Sequence, residues 1–382
     1  MGDDPLLDVV YLTHSAEIGG AETNLLNVLD YSAQGRFRPA AVLLPEEGPL
    51  QRELADRGIR FGFIRYRGFR WRNPLPFLHC IFDLVSCVRR SGAVVMHLNH
   101  QWLIEHAAIA ARITGLPLVC HVRNLLHSAF VARSRHWLNR ADALVCVSHA
   151  TKVRAEQLGL SSPVHLVQDG LDLARFQQFD AGENERLASG IPLKAPTIGF
   201  CGRIVPEKGV EDLILAAALV LKEMAGVRFV FVGSDGSDGA YIDDLTGLAE
   251  EIGVREHIHF LGFQRHVEMI LSTFDVLAVP SRREMAEGLP LTILEGIASG
   301  CLIVATPNSG TVEVIEHMKS GILTQPNDPL SLAQGLVQAL TLPAAKTASL
   351  KKAASNLVYE RHAIQRQVRR LGCLYRDLSI RI

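Results

Sequence analysis

The 382-residue chain has almost no net charge: 39 lysines and arginines stand against 40 aspartates and glutamates, which leaves −1. That balance gives no global field to draw in nucleic acid, so nucleic acid is not expected as a partner, and any electrostatic recognition must come from local patches. Long apolar runs are missing as well. No stretch of about 18 apolar residues marks a membrane span. The start, MGDDPLLDVVYL, has acids where a secretory signal would carry basic residues. Cysteine is present but unorganised, with seven residues, an odd number, and no CxxC pair. Cys120, Cys146, Cys201 and Cys301 lie in or beside apolar runs and read as small buried hydrophobes in a reducing compartment. Together these absences lead to the expectation of a cytoplasmic protein. Metal patterns are absent too. The 15 histidines form no HExxH, HLNH at 97–100 begins inside a strand pattern, and no DxD closes a strand. Neither a metal nor a cofactor is expected.

What is present is a globular composition, 48% apolar and 21% charged. The length suits two domains of roughly 150–200 residues each. In the first half, short apolar runs alternate with helical patterns. The runs are VVYL (9–12), AAVLL (40–44), IRFGFI (59–64), AVVMHL (93–98), LPLVCHV (116–122) and ALVCVS (143–148), and helical periodicity fits 21–32, 49–57, 75–90 and 102–114. This alternation points to a parallel sheet covered on both faces. The pattern stops at the polar, irregular stretch 176–195, the expected linker. A second series follows, with strands at 196–202, 227–233, 257–262, 275–280 and 301–306 and helices at 209–224, 240–252, 289–299 and 328–341. No internal repeat of fixed short period is visible. The fold class is therefore α/β, with two facing Rossmann-like, doubly wound domains and a cleft between the carboxyl ends of their sheets. The expected domains are 1–175 and 196–360, with an amphipathic helix in 361–382 packing back toward the first.

Three loop motifs carry chemistry. In GFCGRIVPEKGV (199–210) a buried strand ends at Gly202 and a helix begins near Gly209, so Arg203 and Lys208 lie in the turn at the strand's carboxyl end. Two cations there can hold a diphosphate, arginine through a fork of hydrogen bonds and lysine as a point charge. The alternative is an ordinary exposed turn. In PSRREMAEGLPLTILEGIASG (280–300), Pro290 is a helix-start signal, which puts the amides of Gly288 and Leu289 at a helix N-terminus that favours an anion. Glu295 lies five residues into that helix, roughly 7.5 Å along its axis from the start. One carboxylate, Glu287, could then sit at a sugar while Glu295 reaches a ribose. The plainer reading makes Glu287 a first-turn acid and Glu295 a surface residue, although Ile293, Leu294, Gly296 and Ile297 around it argue against full solvation. In HSAEIGGAETN (14–24), Gly19 and Gly20 precede a helix and allow close backbone approach, but a plain turn explains them equally well.

These motifs, with QDGLDLARF (168–176), FVGSDG (231–236), HFLGF (259–263), ATPNSGTVEVI (305–315) and GILTQPNDP (321–329), make the chain resemble the retaining GT-B glycosyltransferases of family 4, also described as glycosyl transferases group 1. The resemblance runs through most of the chain and is sharpest from 196 to 325. It implies transfer of a hexose or N-acetylhexosamine, with retention and without metal, from a nucleoside diphosphate sugar to a glycan or lipid-linked acceptor in cell-surface polysaccharide or glycolipid synthesis. A UDP-sugar is favoured as donor, with GDP-mannose as the alternative, because nothing in the sequence reads the base. Arg203 and Lys208 would hold the diphosphate, and Glu295 the ribose hydroxyls. Glu287 would contact the transferred sugar, assisted by the amides of Gly288 and Leu289. The backbone near Phe263 would meet the base, and Gly19 and Gly20 would face the phosphates or the acceptor. Two departures stand out. Where the family often has a histidine after the fifth strand, LVCHVRN (118–124) places Arg123, with His121 two residues earlier, so either could be the catalytic polar contact. The junction reads QDGLD where the family often has Asn-Gly-Val/Ile-Asp, a change of little expected consequence because Asp169 takes the same turn geometry.

The rival readings are a nucleotide-sugar epimerase of the same fold and a catalytically silent sugar-nucleotide-binding subunit. The set Arg203, Lys208, Glu287 and Glu295 speaks against the second, and nucleotide release with and without acceptor separates them. One local patch bears on the acceptor. Residues 52–72 hold seven arginines against Glu53 and Asp56, interleaved with Phe61, Phe63, Tyr66, Phe69 and Trp71. Residues 60–72 and the helix expected at 75–90 form an expected acceptor-side edge in peripheral contact with an anionic membrane surface on its inner face. A strand with one aromatic face in the core and one solvated arginine face is the bland alternative.

Overall fold

The structure, a computed structural model, describes residues 6–380 apart from 71, 178–194, 237–238, 284–286 and 309. The chain divides into two compact units, Met1–Gly170 with Ile364–Ile382, and Leu171–Ala363. Among the described residues no helix is long and apolar enough to cross a membrane.

The first unit is built on strands β1 (Leu7–Leu12), β2 (Phe37–Leu44), β3 (Phe61–Phe63), β4 (Val95–Leu98), β5 (Leu118–Val122), β6 (Ala143–Cys146) and β7 (Val164–Leu166), in the order β3-β2-β1-β4-β5-β6-β7. Every pairing is parallel. The connecting helices are α1 (Gly20–Tyr31), α2 (Pro49–Asp56), α3 (Leu75–Ser91), α4 (Ile104–Thr114), α5 (Ser128–Leu138) and α6 (His149–Gln157). Alternate strand residues serve opposite faces. Val10, Leu12, Met96, Leu98 and Cys120 pack under α3 and α4, while Val9, Tyr11, Val95 and Val119 pack under α1 and the last helix.

The second unit opens on α7 (Leu173–Gln177) and continues through β8 (Thr197–Cys201), α8 (Val210–Glu223), β9 (Arg228–Val232), α9 (Ala240–Glu251), β10 (Ile258–Gly262), α10 (Val267–Leu271), β11 (Val276–Val279), α11 (Leu291–Ala298), β12 (Leu302–Ala305), α12 (Thr311–Val314), β13 (Ile322–Leu323), α13 (Pro329–Thr341) and α14 (Ala344–Arg361). Its sheet runs β10-β9-β8-β11-β12-β13. In both units the first strand of the series pairs with the second on one side and the fourth on the other, the strand order of a Rossmann-like sheet. The carboxyl ends of β1 and β4, and of β8 and β11, are thus the points where ligands bind in open parallel sheets.

The second unit begins at Leu171 rather than after a linker at 176–195. Leu171, Leu173 and Phe176 are buried in its core with Leu271, Phe274 and Val358, and the Leu171 amide donates to the His362 carbonyl at 2.7 Å. Most of the expected linker, 178–194, lies outside the described residues. The last helix, α15 (Ile364–Ser379), buries Ile364, Val368, Leu371 and Tyr375 against α1 and the turn at Ser32–Gly35 in the first unit. Contact there is backbone to backbone: a Cβ on Gly372 would stand 1.8 Å from the Gly35 carbonyl oxygen. Cys120, Cys146 and Cys301 are buried as expected, whereas Cys201 is half-buried and Cys373 exposed.

The glycine contacts yield a pair of opposite outcomes. Gly372→Ala should lower stability by about 1–3 kcal/mol through overpacking, despite alanine's higher helix propensity. Gly247→Ala, in α9 with nothing within 4 Å of a new Cβ, should raise it by roughly 0.5–1 kcal/mol. Urea midpoints of the two variants check this, and a Gly372→Ala variant as stable as wild type would remove the close contact.

Candidate active site

The site in the second unit grows from the loops that leave β8 and β11. Gly202, at φ +145°, and Gly233, at φ +139°, let the loop backbones after β8 and β9 meet, since a Cβ on Gly233 would fall 1.8 Å from the Gly202 oxygen. Gly209, at φ +70°, brings the turn Pro206–Lys208 against the carbonyl of Pro280 at the end of β11. Lys208 is thereby carried to the β11 loop, where its Nζ forms a short ion pair with Glu287 Oε1. Ser281 Oγ donates to the other Glu287 oxygen at 3.3 Å. Arg203, on the same β8 loop, is exposed, and its side chain has no partner among the described residues. The structure therefore brings Lys208 and Glu287 together and leaves Arg203, on the same loop, without a side-chain partner among the described residues.

The β11 loop is itself anchored. Arg282 forks onto Asp212 at 2.9 and 2.8 Å and reaches Glu211 at 2.9 Å, which ties the loop to the start of α8. Thr306 and Asn308 both donate to the Ser281 carbonyl, at 2.6 and 3.3 Å. Gly310 packs so closely that a Cβ there would lie 1.8 Å from the Gly288 oxygen. The Gly288 and Leu289 amides, just ahead of α11, make no hydrogen bond among the described residues. Pro290 is the residue before the first helical turn rather than within it. Sequence reasoning missed Ser281, Arg282, Asp212, Thr306 and Asn308. The signal available for four of them was their position just after β11 and β12, where a switch point concentrates loops, and for Asp212 its place in the first turn of α8.

Glu295 is no surface residue. It is 7% exposed in α11, which lies so near the sheet that a Cβ on Gly296 would meet Leu277 at 2.3 Å. Burial pushes its carboxyl up to about 7, opposed by the nearby Arg175 cation and aided by Glu268. Those two neighbours form their own pair at 2.7 Å, with Arg175 supplied by the junction motif through α7. Phe263, expected near the base, follows Gly262 in left-handed conformation and is 54% exposed.

In the first unit, Arg123 and His121 end up in one buried network rather than at an open surface. Arg123 Nε donates to the Asn99 carbonyl at 2.8 Å, Nη1 to both Asp169 oxygens at 3.2 and 3.1 Å, and Nη2 to Asn24 and Asn99 side chains at 3.2 and 2.8 Å. Those contacts engage all three guanidinium nitrogens within the buried network, which sets Arg123 to holding the fold. His121 Nδ1 lies 3.2 Å from His97 Nε2, and His97 Nδ1 lies 2.6 Å from the Tyr375 hydroxyl. Burial first, and then the Arg123 charge, hold His121 well below its usual pKa and His97 down at about 3, so both rings are neutral. Gly19 starts α1 with extended backbone, and its amide donates to Glu22 Oε2 at 3.3 Å. One amide of the Gly-Gly turn, that of Gly19, is thus met by the chain's own carboxylate. Among the described residues, no group of three or more His, Cys, Asp or Glu could hold a metal ion.

The raised pKa of Glu295 makes stability depend on pH with a definite sign. Its folded value, about 7, exceeds the ordinary 4.5, so the native state binds the extra proton. Stability is then full below the unfolded pKa, falls as pH rises from there through about 7, and is flat above, a total loss of about 3 kcal/mol at 1.36 kcal/mol per unit. Glu295→Gln should therefore match wild type near pH 4.5 and exceed it by up to about that amount near pH 8. Denaturant unfolding across the range checks it, and a constant difference between the two proteins would show that Glu295 is not buried as an acid.

Comparison with known proteins agrees with this architecture. Residues 18–175 match the model of Glycosyltransferase Family 4 and residues 182–357 that of Glycosyl transferases group 1. The chain is 31% identical to a D-inositol 3-phosphate glycosyltransferase of Corynebacterium urealyticum over 252 residues, 63% of this chain and 58% of the relative. It is 30% identical to a GDP-mannose-dependent alpha-(1-6)-phosphatidylinositol monomannoside mannosyltransferase of Mycobacterium tuberculosis over 202 residues, 50% of this chain and 51% of that one. The chain thus spans only about half the length of these curated relatives. In fold it is similar to Anabaena HepE, solved with UDP and glucose, at a TM-score of 0.85 and 22% identity, covering 97% of this chain and all of the other. Its two Rossmann-like units and both family matches mean that the chain belongs to the group 1, family 4 glycosyltransferases of GT-B fold.

Proposed function

We propose that the protein is a retaining, metal-independent glycosyltransferase that moves a hexose or N-acetylhexosamine from a nucleoside diphosphate sugar to a glycan or lipid-linked acceptor. The observation that carries the reading is the Lys208–Glu287 pair at the β8–β11 switch point, with Arg203 uncommitted beside it. A donor diphosphate needs cations whose positions are fixed before it arrives, because preorganised charge costs no rearrangement as the leaving group develops. Glu287 and Ser281 fix Lys208; Arg203 adds a fork. The same Glu287, directly before Gly288 and Leu289 in sequence, is suited to hydroxyls of the transferred sugar, with those two amides to assist. Glu295, a buried carboxylate with two acceptor oxygens, suits the two ribose hydroxyls, whose hydrogen bonds favour its charged form. A UDP-sugar is the favoured donor. HepE was solved with UDP and the mycobacterial relative uses GDP-mannose, so a GDP-sugar is the second candidate.

In the reaction, the bond from the anomeric carbon to the diphosphate breaks with its electron pair on the diphosphate. The acceptor oxygen attacks from the same face, and its proton passes to the departing phosphate oxygen. Arg203 and Lys208 neutralise the charge that builds there, the role a divalent ion would otherwise fill.

Two measurements follow. Lys208→Ala should weaken UDP binding by about 10–100-fold, the loss of one hydrogen bond to a charged group, while Glu287→Gln leaves UDP affinity undiminished and lowers transfer. Isothermal titration with UDP and GDP reads both, and unchanged affinity in Lys208→Ala for both nucleotides would take Lys208 out of the site. Transfer should also keep the donor's anomeric configuration and proceed in excess EDTA. NMR of the product decides this, and an inverted product or a full requirement for a divalent ion would sink the mechanism.

A further inference from the structure

The α3 edge of the first unit has a surface that neither the core nor the nucleotide chemistry accounts for. One stripe of α3, including Phe77, Ile81, Leu84 and Val88, is buried on the sheet. Leu75, Leu78 and Phe82, spaced so as to share another side of the helix, are 62%, 54% and 71% exposed. A soluble helix needs only the buried stripe. The preceding segment is held against α3 and α4: Phe69 stands edge-on to Phe77 at 5.5 Å, and His106 Nε2 holds the Arg67 carbonyl at 2.9 Å. Arg65, Arg67, Arg70 and Arg72 are all exposed there.

These four arginines differ from others in the same unit. Arg38 pairs with Asp8 at 2.8 Å, and Arg57 pairs with both Asp30 and Glu53. Among the described residues no acid pairs with any of the four, and Asp83 is the acid on the adjoining exposed face of α3. Arg89 and Arg90, at the far end of the helix, donate instead to the Ile113 carbonyl and to Ser86 and Cys87. The positive charge therefore gathers at the N-terminal end of α3, where the apolar ridge begins.

We propose that this edge docks on an anionic lipid surface, with Leu75, Leu78 and Phe82 entering the headgroup–acyl boundary and Arg65, Arg67, Arg70 and Arg72 meeting the headgroups. The complementarity is two-fold: an apolar ridge gains by leaving water, and unpaired cations gain by meeting fixed negative charge. A second copy of the chain would offer the ridge an apolar partner but would set the arginines against like charge.

The test is co-sedimentation of the full chain with vesicles of equal parts phosphatidylglycerol and phosphatidylcholine, and with phosphatidylcholine alone, over a salt series. Wild type should bind the anionic vesicles at low salt, leave them as salt rises, and ignore the neutral ones. Leu75→Ser/Leu78→Ser/Phe82→Ser and, separately, Arg65→Ser/Arg67→Ser/Arg70→Ser/Arg72→Ser should each lower partitioning by about tenfold or more. Both sets are exposed, so thermal midpoints and UDP affinity should stay at wild-type values, which separates this result from any failure of the nucleotide site. The proposal is overturned if wild type ignores anionic vesicles at low salt, binds neutral ones equally, or binds no better than either variant. It is also overturned if wild type is dimeric without lipid and the ridge variant is monomeric.

Discussion

The buried pair of Arg123 and Asp169, 7% and 6% exposed, is the constraint on which the first unit depends. Two charges removed from water cost more than their attraction returns unless every remaining donor and acceptor is met. Here they are met by groups from distant parts of the chain. Asn24 comes from α1, Asn99 from the end of β4, and Gln367 from α15, whose Nε2 donates to Asn24 at 2.9 Å and to Asp169 at 3.2 Å. Asn99 also donates to the Ala21 carbonyl at 3.3 Å, so the loop after β4 and the start of α1 are fixed together. Beside them the Tyr11, Tyr375, His97 and His121 contacts continue the network beneath the sheet's carboxyl edge. Any ligand at that edge meets loops whose positions are already determined.

The second unit solves the same problem with smaller means. Its loops are held by backbone contacts that only glycine allows, at Gly202–Gly233, Gly209–Pro280 and Gly288–Gly310. Polar side chains then fasten what the glycines bring near: Arg282 to α8, and Thr306 and Asn308 to Ser281. The result is a lysine whose charge is held by one carboxylate, beside an arginine whose charge is not. On the proposed function, that asymmetry would suit a diphosphate, since a cation locked in two directions could not serve a ligand as well.

Long periodic elements were readable in the sequence. The strands at 9–12, 93–98, 116–122 and 275–280 overlap β1, β4, β5 and β11 because a buried parallel strand is a continuous apolar run. β7 and β13, three and two residues long, carry no such run. The early start of the second unit was hidden as well, since Leu171, Leu173 and Phe176 are too few to show a pattern. At the site, Lys208 and Glu287 could be named from their loops, but not that they pair with each other 79 positions apart. The surroundings of Arg123 were hidden for a related reason: a motif gives a position after a strand, while burial among Asn24, Asn99 and Asp169 is decided by segments far away in sequence. The aromatic residues at 60–72 were half of each kind, with Tyr66 packed on the core and Phe63 and Phe69 each 41% exposed; Trp71 lies outside the described residues.

Because Ile364–Ile382 belongs to the first unit and Leu171–Ala363 forms the second, one unit is interrupted by the other. A chain made from its amino end finishes the second unit while the first still lacks the helix that supplies Gln367 and Tyr375. Until α15 emerges, Arg123 and Asp169 have lost Gln367 from their shell, and the Gly35 surface, which meets Gly372 at backbone contact, stands open to water. The uninterrupted unit is then free to fold first, and the interrupted one closes last, across a separation of 198 positions between Asp169 and Gln367. Closing so long a loop adds little entropy cost if the intervening segment is already compact, because its ends, Leu171 and Ala363, are joined by a parallel bridge. That bridge shortens the effective loop to the few residues on either side, so the unit that begins first can be completed by a local step.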